Sequence, residues 1–423
     1  MKLGGYTMNV RQVSKTEATW FYFIFFFIAL IIHFCLPLNW ADDIIFSKYT
    51  KEWGFVRFIS GSARPIIDTI TYFFAKYKVL WRILNPMVLT LLVAVLVYYI
   101  PCKNKKLERL IVGCTIIFPA MIVVDAGFIA TTVNYLWATT FGLIALIPLY
   151  KVCTDKEPKI YECIISVILI LYATNMQQMT AVLLALFLIG IIYTAVKKKF
   201  KIFILIDFFV TLASFFFSFY LNMFGDNNRM IRETMRYFKD FAQVGLLEKI
   251  ELGFSSTFYC LTMDLGFAFP AFLAFNIFIV VMMFKNNDKI FNKINSLFPI
   301  VFCIWGVLQH FIPSENLPIH RFIMGNYHHF RMTNALYIFR PIMDILFILI
   351  CVSVTYSLFI LIKNRKEFIA CCFALLLGLG TRVLMGMSPT VWASGYRTFF
   401  IMFLSFIVAS VLIIDNIKLT EQP

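Results

Sequence analysis

The chain has 423 residues, 61% of them hydrophobic and 14% charged, with a mean hydropathy of +0.82. Soluble domains carry roughly 25% charged and about 45–50% apolar residues, so a water-soluble globule is excluded and the excess Phe, Ile and Leu must face lipid or other helices. The formal net charge of +15 is not gathered in a soluble basic module, so no nucleic-acid partner is expected; it reads as loop charge that orients helices and meets the lipid bilayer.

In chain order, Lys2, Arg11 and Lys15 precede an apolar run over 20–36 with no small-residue cleavage site after it, which reads as a retained first helix. Further apolar runs predict spans near 84–100, 110–125, 135–150, 160–174, 179–195, 202–222, 262–284, 296–312, 341–362, 368–386 and 398–414. The expected fold is all-α, a polytopic transmembrane bundle of about 12 spans forming a single integral membrane domain over 1–423. With the N-terminus inside, the inner segments hold 21 of the Lys and Arg residues, and the two short outer loops near 126–134 and 175–178 hold none. Both termini are therefore expected in the cytoplasm. The longer outer loops fall at 37–83, 223–261, 313–340 and 387–397.

Two of these loops contain amphipathic segments. In 65–77, Ile66, Ile67, Ile70, Phe73, Phe74 and Tyr77 follow helical spacing behind Pro65, a residue suited to the first helical position. In 227–249, Ile231, Met235, Phe238 and Ala242 form one stripe, with Arg229, Arg232, Arg236, Lys239 and Asp240 on other faces. Both are expected to lie in the membrane interface. The ten cysteines include no CxxC pair, so neither a disulfide framework nor a zinc site is expected.

The most informative polar group is the acidic pair Asp42-Asp43, just past the outer end of the first span. Two carboxylates at a membrane surface mark a wet pocket or a solvated loop. With the segments Leu38-Asn39-Trp40-Ala41-Asp42-Asp43-Ile44, Ser60-Gly61-Ser62-Ala63-Arg64 and Ser388-Pro389 followed by Arg397, the layout resembles the GT-C superfamily of polytopic membrane glycosyltransferases, in a bacterial branch. The resemblance covers the helical layout of most of the chain through short motifs, of which the acidic pair is the most specific. It implies an inverting transfer of sugar from a polyprenyl-phosphate donor to a cell-surface glycan or glycolipid acceptor on the outer face of the cell membrane.

That chemistry needs a base for the acceptor hydroxyl and fixed cations for the leaving phosphate. Asp42 is the expected base, with Asp43 orienting the acceptor, holding the loop or assisting a cation. The sequence specifies no cofactor, and a role for a divalent cation is left open. Arg57, Arg64, Arg382 and Arg397 are the candidates for the donor phosphate. Arg382 falls inside a span, where an arginine faces the protein interior or snorkels to the interface. The turn Asn175-Met176-Gln177-Gln178 offers substrate contacts; the resemblance leads one to expect Glu there, and Gln stands in its place. His328 and His329, in the cluster with His310 and His320, are candidates for sugar or phosphate contact, their spacing lacking the i, i+4 pair of a helical metal site. Asp125 is a candidate second acid and Asp344 is expected to pair locally. The alternatives are a polysaccharide polymerase of the O-antigen type and a lipid-linked sugar flippase or transporter. Transport predicts several charges near the bilayer midplane, and only Arg382, Asp207, Asp264 and Asp344 qualify.

Overall fold

A computed structural model describes residues 10–49, 62–100, 102, 104–117, 119, 126–224, 229–311 and 340–418. Every regular element among them is helical. In chain order these are α1 (Val10–Cys35), α2 (Asp42–Tyr49), α3 (Pro65–Lys76), α4 (Lys78–Tyr99), α5 (Lys105–Thr115), α6 (Phe128–Cys153), α7 (Ile160–Ala173), α8 (Gln177–Val196) and α9 (Ile202–Phe224). They continue with α10 (Arg229–Tyr237), α11 (Leu246–Thr262), α12 (Ala268–Asn286), α13 (Ile290–Phe311), α14 (Arg340–Leu361), α15 (Arg365–Val383) and α16 (Phe400–Lys418).

Among the described residues ten helices are long and apolar enough to cross a bilayer, so the chain is a multi-pass membrane protein. Against the expected count of about twelve, ten are found among the described residues. The run over 160–174 forms α7, whose 14 residues rise only about 21 Å against a hydrocarbon core of about 30 Å. The run over 110–125 contains the end of α5 at Thr115, and part of it lies outside the described residues.

The chain divides into two compact units, Met1–Met176 with Leu183–Phe215, and Gln177–Val182 with Phe216–Pro423. In the first, α1 is at the periphery, with only 11% of its apolar window buried. Several polar side chains inside this unit are satisfied by one another, as a low-dielectric interior favours. Asn85 Nδ2 bonds His33 Nε2 at 2.7 Å, Trp137 Nε1 donates to Asn85 Oδ1 at 2.7 Å, and Trp81 Nε1 donates to Thr132 Oγ1 at 3.0 Å. Trp137 and Thr132 bound a π-helical turn within α6.

In the second unit the terminal span over Tyr396–Ile417 is the packing centre, with 78% of its window buried. Residues 246–262, which hydropathy puts in an outer loop, form the interior helix α11. Its Leu252, Phe258 and Leu261 are fully buried. Backbones approach closely at two glycines. A Cβ on Gly253 would lie 2.0 Å from the Val383 carbonyl oxygen, and one on Gly386 would lie 2.0 Å from that of Lys249. Small residues let backbones meet in this way where lipid removes the hydrophobic drive for helix association.

The amphipathic reading of 65–77 becomes α3, with Pro65 in its first turn. Its apolar residues divide between two surroundings: Ile67, Phe74 and Ala75 are buried, whereas Ile66, Phe73 and Tyr77 are exposed. Over 229–249 the chain forms α10, a short 3-10 turn at Phe241–Gln243 and the first residues of α11.

Candidate functional site

The first unit gathers polar groups where α1 ends. Pro37 cannot continue a helix, and α1 stops at Cys35. Its last carbonyls are held by the Arg82 guanidinium from α4, which donates to Phe34 O at 2.6 Å, Leu36 O at 2.8 Å and also His33 O. A cation suits the negative end of a helix dipole. One turn earlier on α4, Lys78 Nζ donates to Asn39 Oδ1 at 2.9 Å. The chain then turns at Ala41, whose φ of 45° is left-handed and costly for a residue with a Cβ. That turn opens α2 on the acidic pair, which therefore starts a helix where a loop is expected.

The two carboxylates have different surroundings. Asp43 is 1% exposed, and its carboxylate receives the first N–H groups of α6. Phe128 N donates to Oδ2 at 2.7 Å, Ala130 N to Oδ1 at 2.9 Å, and Ile129 N to both oxygens at 3.1 Å. These are donors that a helix N-terminus leaves unmade. Gly127 permits the approach: its φ is +115°, and a Cβ there would lie 2.8 Å from Asp43 Oδ1. Burial pushes the Asp43 carboxyl up from its ordinary value; the N–H groups of Ala130, Ile129 and Phe128 offset part of that, and the neighbouring Asp42 adds to it. Asp42 is half-buried at the first position of α2.

The N-terminus of α3 is built beside this. Asn175 Oδ1 accepts from Ile66 N at 3.2 Å, and its Nδ2 donates to Leu171 O at 2.8 Å. Asn175 thus holds the start of α3 against the end of α7. The half-buried Arg64 precedes Pro65, with its backbone N–H on Ser62 Oγ at 2.9 Å, and the Ser62 hydroxyl bonds Asp68. Because α2, α3 and the start of α6 pack together, Asp42, Asp43, Arg64 and Asn175 lie at one end of this unit.

The second unit contains the other arginines. Arg382, in the last turn of α15, is 1% exposed. Its guanidinium carbon is 4.7 Å from the Phe399 ring centroid, and Nη2 donates to Val391 O at 3.4 Å. Gln178 is buried in the same unit, and its Nε2 donates to Thr381 O at 2.8 Å and Thr398 O at 2.9 Å. One amide thereby ties the backbone beside Arg382 to the backbone beside Arg397. The half-buried Arg397 sits in a short 3-10 turn, Tyr396–Phe399, whose Tyr396 hydroxyl donates to Asp264 Oδ2 at 2.7 Å. Gln177, one residue before Gln178, is exposed. An open apolar groove of about 470 Å³ runs between α11, α14 and α15, lined by Phe254, Phe347, Cys351, Phe359, Phe368 and Leu379 among others.

Arg57, Asp125, His320, His328 and His329 lie outside the described residues. His310 lies in the last turn of α13 with Nδ1 on Gly306 O at 2.8 Å. Asp207 accepts from Ser166 Oγ at 2.9 Å inside the first unit. Among the described residues no group of three or more His, Cys, Asp or Glu side chains is arranged to hold a metal ion.

Sequence reasoning missed Arg82, Lys78, Gly127 and the Tyr396–Asp264 bond. A trace of the first two was present, since a Lys and an Arg spaced i, i+4 at the head of a span form one cationic face. Comparison with family models, with curated proteins and with solved structures finds no match.

Proposed function

We propose that the chain is a membrane glycosyltransferase that moves a sugar from a polyprenyl-phosphate carrier to a cell-surface glycan or glycolipid. The observation that carries this reading lies within the second unit. There α15 lines the apolar groove with Phe368 and Leu379 and bears the buried Arg382 three residues beyond Leu379. Residues three apart on a helix share a face. A ligand with an apolar tail and an anionic head uses both features, and a lipid phosphate has that form. The guanidinium fork matches two phosphate oxygens and stabilises the charge that develops as the phosphate leaves. Arg397 is assigned a second phosphate contact on the same chemistry.

Asp42 is assigned the general base, because Asp43 is engaged by three backbone N–H groups of α6. In the inverting transfer that the resemblance implies, an acceptor hydroxyl gives its proton to a carboxylate, the part assigned to Asp42, while its oxygen bonds to the anomeric carbon. The bond from that carbon to the carrier phosphate breaks, and the electron pair leaves with the phosphate, inverting the centre. The Lys and Arg distribution favours cytoplasmic termini and an outward-facing reaction, and the resemblance to the GT-C superfamily supports the same assignment.

The test uses two readouts. Asp42→Asn lowers sugar transfer in membranes by about 10²–10⁴ at unchanged protein level, as loss of a general base does, and leaves binding of a short polyprenyl phosphate intact. Arg382→Lys keeps the charge but loses the planar fork, and weakens that binding. Full transfer by Asp42→Asn, together with unchanged binding by Arg382→Lys, refutes the reading.

A further inference from the structure

The helix α10 has three different edges. Met230 and Phe238 pack against Phe241, Leu252 and Val391 in the core of the second unit, which fixes the helix in place. Ile231 and Met235, one turn apart, are 49% and 66% exposed. Arg232 and Arg236, also one turn apart, are exposed as well, and Lys239 follows them in the next turn. At about 100° per residue the arginine row flanks the Ile231–Met235 row. The Arg236 guanidinium carbon lies 5.0 Å from the ring centroid of Tyr237, an aromatic that is itself exposed. Glu233 is half-buried and Asp240 exposed, yet the segment 229–240 retains an excess of positive charge.

A free anion has no use for an exposed apolar row beside the arginines, and a purely apolar lipid surface has no use for the arginines. A helix held by one face to a membrane protein, with an apolar edge and a basic edge side by side, fits the boundary between acyl chains and headgroups. We infer that α10 and the turn after it form a docking edge for anionic phospholipid, with Arg232, Arg236 and Lys239 on headgroup phosphates and Ile231 and Met235 against the acyl chains. Arginine suits this role because its planar fork meets two phosphate oxygens at once. The site is separate from the proposed transfer chemistry and stands whether or not that chemistry is correct.

The test places a tryptophan at the apolar edge by Met235→Trp, in the full chain reconstituted into phosphatidylcholine bilayers with a minority of phosphatidylglycerol. The added fluorescence over the wild type is followed with brominated phosphatidylglycerol or brominated phosphatidylcholine at equal mole fraction. The expected result is stronger quenching by the anionic lipid. Adding Arg232→Gln and Arg236→Gln lowers that preference by about tenfold or more, in keeping with the attraction of each basic residue to an anionic surface. Both changes are at exposed positions, so unchanged thermal unfolding confirms an intact fold. Equal quenching by the two lipids overturns the inference, and so does absence of quenching by either. Displacement of the preference by millimolar inorganic phosphate also overturns it, since the site would then be one for free anions.

Discussion

Replacing Asp43 by Ala removes the acceptor for the first N–H groups of α6. The Ile129 and Ala130 backbone groups lie in buried surroundings, with those residues 0% and 9% exposed, while Phe128 is partly open to solvent. Each buried donor left unmade costs about 1–3 kcal/mol, so two cost about 2–6 kcal/mol. Relief from burying a carboxylate returns part of this, which makes about 2–4 kcal/mol the expected loss. Asp43→Asn keeps one acceptor oxygen and sheds the charge that burial disfavours, so its loss is about half of that. Asp42→Asn is the control, because Asp42 is half-buried and the three N–H groups belong to its neighbour. The measurement is unfolding of the purified protein in mixed micelles under increasing dodecyl sulfate, followed by tryptophan fluorescence. The order wild type, Asp42→Asn, Asp43→Asn, Asp43→Ala is expected, with the first two together. Stability of Asp43→Ala within about 0.5 kcal/mol of wild type would refute the view that this carboxylate holds the start of α6.

Two further outcomes follow from the same contacts. Gly127→Ala forces a Cβ to within 2.8 Å of Asp43 Oδ1 at a φ of +115°, and should destabilise by about 1–3 kcal/mol in the same unfolding assay; its effect should shrink in the Asp43→Ala background, since the two residues share one contact. Gln178→Leu leaves the Thr381 and Thr398 carbonyls without the donor that joins them, costing about 1–3 kcal/mol and weakening binding of a short polyprenyl phosphate, whereas an unaltered affinity would show that this brace does not position the arginines beside it.

Much of the architecture is readable from composition and periodicity. An 18-residue apolar window has one economical outcome in a bilayer, because a helix satisfies its own backbone groups there, and ten such helices are found among the described residues. Pro65 marks the start of α3 through its fixed φ and missing N–H. Hydropathy does not single out residues 246–262 for a physical reason: it scores lipid exposure, whereas α11 is buried against protein, with close approach at Gly253 and Gly386, and a close backbone approach leaves no trace in a hydropathy profile.

The acidic pair shows where local reading ends. Asp42 and Asp43 are neighbours of identical chemistry, so nothing within a few residues distinguishes them. They differ because α6, which begins 85 residues after Asp43, brings its N–H groups to one carboxylate and not to the other. Gln178 is alike: the turn around it is plainly polar, but the two carbonyls it joins are 203 and 220 residues away. A span, a turn or a helix start is specified by residues adjacent along the chain. The partner of a buried polar group is specified by which helices pack together, and that emerges only when distant segments meet.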